Sequence, residues 1–122
     1  TKDPRPKPSL LSIGIITEAA RDQQFRELVG VDYQRFVDTA NVYIYSEDLD
    51  NIGARVVSMW VRGASNNKAA IIMYTPEGDM WAGLIVPDKN GQLAMRYYSS
   101  KNKDEKMMPR TLASWKLHFL EK

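Results

Sequence analysis

The spacing of hydrophobic and polar positions changes character twice along this chain, and each stretch predicts a different structure. Thr1 to Pro8 is polar, with Pro4, Pro6 and Pro8 at alternate positions and basic residues between them. Proline fixes φ and removes donors, so residues 1–8 read as an extended tether outside the core. Ser9 to Ile16 is apolar but interrupted by Gly14, which suits a short strand or the first turn of a helix. From Thr17 the period is helical. Thr17 is a candidate N-cap, and Glu18 follows in the first turn, where the helix dipole favours an acid. Ala20, Phe25, Leu28 and Val29 make an apolar stripe, and Gly30 is a stop. Asp32 then caps a second short helix, with Val31 stapled onto Phe36 and with Tyr33, Phe36 and Val37 on the buried side, ending near Thr39.

At Val42 the period falls to two. Val42-Tyr43-Ile44-Tyr45 is β-branched and aromatic and reads as a strand. After a loop at Asp48 to Gly53, the stretch from Ala54 to Ser99 reads as successive strands: ARVVSMWVRG, KAAIIMYTPEGD, MWAGLIVPDKNG and QLAMRYYSS. Gly78 and Asn90-Gly91 supply the backbone freedom that hairpin turns need. Short turns force antiparallel neighbours, so this is a meander. Ala69 to Tyr74 is apolar on both faces and belongs mid-sheet. The helices cover one face, and part of the other must be covered by the Ser9–Ile16 segment, a twin subunit or a partner. After a charged loop at Lys101 to Lys106, Leu112 to Leu120 reads as a last strand, with Trp115, Leu117 and Phe119 on one face and His118 on the other. The expected fold is α+β: an antiparallel β-meander of about five or six strands with two N-terminal helices packed on one face. It forms a single domain, residues 9–122, behind the tether.

Composition narrows the function. The 122 residues fit one domain. An apolar fraction of 43% excludes a disordered chain. With 17 basic and 15 acidic residues the net charge is +2, which predicts neither nucleic-acid nor membrane binding. The absence of cysteine excludes disulfides and thiolate metal sites, and one histidine cannot build a histidine-rich metal site. No serine sits in a nucleophile-elbow context, and no glycine spacing cradles a phosphate. The acids Glu47, Asp48 and Asp50, and Glu77 and Asp79, are the candidates for carboxylates paired for sugar hydrolysis, but both groups read as ordinary turn acids. Arg96-Tyr97-Tyr98 and Trp115-Lys116 read as cross-strand packing rather than base-stacking platforms. An enzyme is therefore not expected, and neither is a cofactor. The polar start at Thr1 is what an expression boundary or a cleaved export signal leaves, and a lipid anchor upstream would need such a tether. The expected location is periplasmic or anchored to the outer membrane.

One region offers contact chemistry. On alternation, Trp60 shares a face with Val56, Ser58 and Arg62, while Val57, Met59 and Val61 look like core. The join that follows, Arg62-Gly63-Ala64-Ser65-Asn66-Asn67, is polar. Tryptophan beside arginine is the composition of an interface hot spot, although a helix or loop would cover Trp60 equally well. The candidate partner-binding residues are Trp60, Arg62, Ser65, Asn66 and Asn67.

The order of parts, with QQFRELV at Gln23 to Val29, VVSMWV at Val56 to Val61 and KAAIIMY…MWAGL from Lys68 to Leu84, resembles the inhibitor of vertebrate lysozyme (Ivy) family over roughly Gln23 to Ser99. The resemblance implies a protein whose join between two strands plugs the active-site cleft of a lysozyme. In that family the loop carries Cys-Lys-Pro-His-Asp-Cys; here the matching residues, Trp60 to Asn67, lack both the histidine and the disulfide. The expectation is a non-enzymatic envelope protein that binds and inhibits a partner enzyme. It would be an immunity protein or inhibitor against a peptidoglycan-degrading hydrolase or secreted toxin. The alternatives are a structural or accessory subunit of an envelope secretion or conjugation machine, in which sheet edges or a homodimer serve assembly, and a cone-shaped fold binding a small ligand in an apolar cavity.

Overall fold

The computed structural model of the protein describes residues 9–63, 68–87, 89–100 and 108–120. The tether, residues 1–8, and three of the candidate contact residues, Ser65, Asn66 and Asn67, lie outside them. Helix α1 (Ala19–Val29) leads through a 3-10 turn (Gly30–Asp32) into α2 (Tyr33–Thr39). Five strands follow, β1 (Val42–Ser46), β2 (Arg55–Trp60), β3 (Ala69–Tyr74), β4 (Met80–Pro87) and β5 (Leu93–Ser99), and the chain closes with α3 (Arg110–Leu120). All neighbours pair antiparallel in the order β1-β2-β3-β4-β5, so the fold is α+β with a five-stranded meander. β3 is central and buried at every position, as its two-sided apolar sequence demands.

The alternation of each strand divides its side chains between two cores. On the side of α1 and α2, Val57 and Met59 of β2, Ala70 and Ile72 of β3, and Met80, Ala82 and Leu84 of β4 meet Phe25, Phe36 and Val37. Leu10, Ile15 and Ile16 join this same cluster. The segment from Ser9 to Ile16 is therefore neither a strand nor the start of a helix. It is a set of turns closed by bonds such as Ile13 N–H to Ser9 O at 3.0 Å and Ile16 N–H to Leu10 O at 3.1 Å.

The opposite face is covered by α3, which corrects the reading of residues 112–120 as a strand. Leu112, fully buried, packs with Val56, Ile71, Met73 and Trp81, and with Trp115, Met95 and Tyr97 at the margin of the cluster. Gly83 makes the approach close: a Cβ there would collide with Met95 Cε and stand 3.3 Å from the Trp115 ring. Leu117, which alternation places in the core, is 49% exposed. The helix starts where it does because Asp50, far away in sequence, caps it. The Asp50 carboxylate accepts the N–H groups of Arg110 (3.0 Å) and Thr111 (3.1 Å) and the Thr111 hydroxyl (2.8 Å).

Three helix-end expectations also change. α1 begins at Ala19 with Glu18 at the N-cap position and no side-chain cap bond, so Thr17 does not cap it. Ala20 is exposed rather than part of the buried stripe. Val31 is 94% exposed, so no staple onto Phe36 forms. Asp32 makes no side-chain cap bond either; its carboxylate turns to β5 instead.

Candidate functional site

The meander has two ends. One is made of the α2–β1 connection, the β2–β3 join and the β4–β5 turn, and the sequence-based contact residues fall here. Val61 N–H donates to Lys68 O (3.1 Å), closing the neck of the join. Arg62 N–H donates to Asn41 Oδ1 (2.9 Å), which ties the join to the start of β1. Gly63 then takes φ +82°, a turn that residues with a Cβ rarely adopt. The structure brings Trp60 and Arg62 together at this end. Trp60 sits opposite Val42 and Ala69; its face is the α3 side of the sheet, and it is half-buried, while Arg62 is exposed. Trp60 is thus neither a freely projecting side chain nor a core residue.

Alternation along the strands did not reveal a cleft of about 510 Å³ beside the join. Its walls are Val61, Leu84, Val86 and Leu93, with Pro87 and Gly91 at the β4–β5 turn, and Arg35, Asp38, Thr39 and Lys68 also line it. Four elements meet to form it, so no local pattern announces it. Lys68, and the Arg35/Asp38 pair on one helix, are the only hints a sequence carries.

Through Arg35, which lines the cleft, the site connects to Asp32, which organises the junction between the 3-10 turn and β5. Asp32 is 2% exposed. Arg96 Nη1 donates to both of its oxygens at 2.9 Å, Arg35 Nε stands 3.4 Å away, and the Tyr98 hydroxyl donates as well. Burial alone would raise the Asp32 carboxyl. The hydrogen bonds from Tyr98 and Arg96 and the charges of Arg96 and Arg35 outweigh it and hold the group below the usual carboxylate range. Burial first, then the bond to Asp32 and its charge, push the Tyr98 phenol up to about 12. A parallel arrangement ties α1 to α2: Tyr33 hydroxyl donates to Asp22 Oδ1 (2.5 Å) and accepts from Leu10 N–H (2.9 Å), while Arg26 pairs with Asp22 at 3.1 Å.

At the other end of the meander the acids are structural. Asp48 accepts the N–H groups of Asp50 (3.0 Å), Ile52 (2.7 Å) and Ala54 (3.1 Å), and these bonds overcome its desolvation and lower its pKa. Asp50 caps α3. A second cleft, about 630 Å³, lies here between Glu18, Tyr45, Ser46, Arg55 and Tyr74, and the Arg55 guanidinium lies 5.1 Å from the Tyr45 ring centre. Among the described residues no group of three or more histidines and acids could hold a metal ion. Comparison of the chain with family models, with curated proteins and with solved structures found no match in any of the three.

Proposed function

We propose that this chain is a protein-binding module of the cell envelope that inhibits a partner enzyme, of the class of peptidoglycan-degrading hydrolases or secreted toxins. One observation carries the reading: the β2–β3 join is pinned at its neck and to β1, and exposed Arg62 stands near half-buried Trp60 at the end of the sheet where, on the opposite α2 face, a cleft opens. An arginine whose backbone is tied to Asn41 and a tryptophan held in a paired strand lose little backbone entropy on binding, which is how compact inhibitors reach tight complexes. The order of helices and strands supports it, because that order resembles a family whose equivalent join enters a lysozyme cleft. With no histidine and no cysteine in this join, the contact would rest on the arginine and its polar neighbours.

The test is a capture and lysis-inhibition assay of the full chain against peptidoglycan hydrolases, including a toxin encoded beside it. Submicromolar binding with loss of lytic activity is expected. Trp60→Ala and Arg62→Ala should each weaken that complex by roughly 1–4 kcal/mol. Binding no tighter than about micromolar to all of them would end the proposal.

A second reading, a subunit of an envelope assembly, is favoured by one feature. Among the described residues, five of the eight large hydrophobic side chains that stand exposed lie between Tyr43 and Ile52, on the edge strand β1 and the loop after it. Copurification with a large envelope complex, without any effect on hydrolases, would select this reading over the first.

A further inference from the structure

The clefts differ in what surrounds them. At the join end, the ionisable residues of the connections and the adjoining helix are Arg35, Arg62, Lys68 and Lys89 against Asp38 and, by sequence, Asp88. That local excess of two positive charges equals the net charge of the whole chain, so the remaining basic and acidic residues balance. The far end carries Glu18, Glu47, Asp48, Asp50, Glu77 and Asp79 around Arg21, Arg55 and Arg110, six acids against three bases among the described residues. The molecule is polarised, and its basic pole coincides with the cleft that has apolar walls.

We propose that this cleft, between α2 and the ends of β4 and β5, receives an apolar side chain carried on an acidic loop of the partner protein. The inference rests on the reading that this end of the sheet is the contact surface, and it names the chemistry of what arrives there. Val61, Leu84, Val86 and Leu93 offer apolar walls, and the volume of about 510 Å³ accommodates one large aliphatic or aromatic side chain. Arg35 and Lys68 stand at the lining with Asp38 as the opposing charge. Arg35 shares Asp32 with Arg96 and Tyr98, so its carboxylate does not neutralise both arginines. A loop whose flanking residues are acidic satisfies the basic rim and is steered towards it, while a basic loop is repelled. The apolar anchor supplies the affinity, and the charges supply orientation and salt sensitivity.

The test is a titration of the full-length, isotope-labelled chain, followed by amide chemical shifts, with three capped pentapeptides: leucine flanked by glutamates, glycine flanked by glutamates, and leucine flanked by lysines. The glutamate–leucine peptide should shift the amides of Val61, Lys68, Leu84, Val86 and Leu93. Its affinity should fall roughly tenfold or more, about 1.4 kcal/mol, in the glycine peptide, in the lysine peptide and in Lys68→Glu. Leu93→Trp, which narrows the cleft, should weaken the shifts. High salt should weaken binding to the wild-type protein, a readout that needs no variant to fold. Absence of shifts at millimolar peptide, equal binding of the glycine peptide or of the lysine peptide, or shifts centred on β1 would each overturn the proposal. The hydrolase assay separates the two readings. Peptide binding without hydrolase inhibition removes the inhibitor function and leaves the cleft chemistry standing. Hydrolase inhibition without peptide binding removes only the cleft chemistry.

Discussion

At the β5 edge of the sheet, Arg96 and Tyr98 reach to the buried carboxylate of Asp32 on one face, while Met95 and Tyr97 pack beside Trp115 of α3 on the other. At the β1 edge, Tyr43, Ile44 and Tyr45 stand 37%, 51% and 56% exposed. Besides the ladder with β2 and the Arg55 guanidinium over the Tyr45 ring, the links of β1 to the rest of the fold include the Tyr43 hydroxyl to Ile13 O at 3.2 Å, the Tyr45 hydroxyl to Gly14 O at 3.5 Å and the Ser46–Ser58 hydroxyl contact at 3.1 Å. An edge strand is a ready template for another chain, and proteins usually blunt it with charge, proline or cover. Here the helices cover the two faces and tie into β5 at one edge, while at the other edge β1 stays aromatic and exposed. Stability should therefore be concentrated on the β4–β5 side, and association on the β1 side.

The largest way to break that asymmetry is through α3. Leu112→Ala should cost about 3 kcal/mol, because it leaves a cavity among Val56, Ile71, Met73 and Trp81. On the same helix, Leu117→Ala should stay within about 0.5 kcal/mol. Urea denaturation of both variants reads the difference. A larger loss at Leu117 than at Leu112 would mean that residues 112–120 bury alternate positions with Trp115, Leu117 and Phe119 inward, as a strand would.

The local sequence of α3 is compatible with either structure. Trp115, Leu117 and Phe119 alternate, but Leu112, Trp115 and Phe119 also repeat at three and four, and nine residues do not separate the two periods. What decides for a helix is the Asp50 cap, 61 residues from Thr111, together with a sheet face that needs covering. Neither is local. The hairpins were legible because Gly78 and Gly91, at φ +105° and +80°, are short-range requirements of the backbone. Asp32 was legible as a polar residue at a helix start, yet its partners Arg96 and Tyr98 lie 64 and 66 residues on, so a cap was expected where a tertiary brace stands. The same holds for the candidate site. Trp60 and Arg62 are neighbours in sequence and were found, whereas Arg35, Lys68 and Leu93 converge only through the fold.

The brace is the next effect in size. Asp32→Asn should cost about 2 kcal/mol, since Arg96 and Tyr98 keep a weaker neutral acceptor and Arg96, about half exposed, retains water. Its pH signature is specific. Asp32 and Asp48 titrate lower in the folded chain than in the unfolded one, where Asp titrates near about 3.9. The stability they add is therefore present above about pH 4 and disappears as pH falls through their folded values. Tyr98 works at the other limit. Its folded value is about 12, and an unfolded tyrosine loses its proton near about pH 10, so stability falls as pH rises between those values, with Tyr33 shifted in the same direction. Denaturation midpoints across pH should show both declines in the wild-type protein. In Asp32→Asn the acid limb should flatten in part, and the alkaline limb should shrink without vanishing, because burial remains the largest cause at Tyr98.

The smallest effect on stability should come from the bare edge. Ile44→Lys replaces a half-exposed side chain on β1 and should change unfolding free energy by less than about 1 kcal/mol, the span of strand propensities. Its effect on association is the opposite of small. Lysine on an edge strand opposes strand addition, because an incoming strand buries the charge. If β1 is used for assembly, the wild-type protein should sediment with a concentration-dependent mass or stay attached to its envelope complex, and Ile44→Lys should release it as a folded monomer. If both proteins sediment as monomers and bind the same partners, the open edge is tolerated and not used. Contact then falls to the join and cleft at the basic pole, where Arg62→Ala and Lys68→Glu act on binding while β1 variants do not.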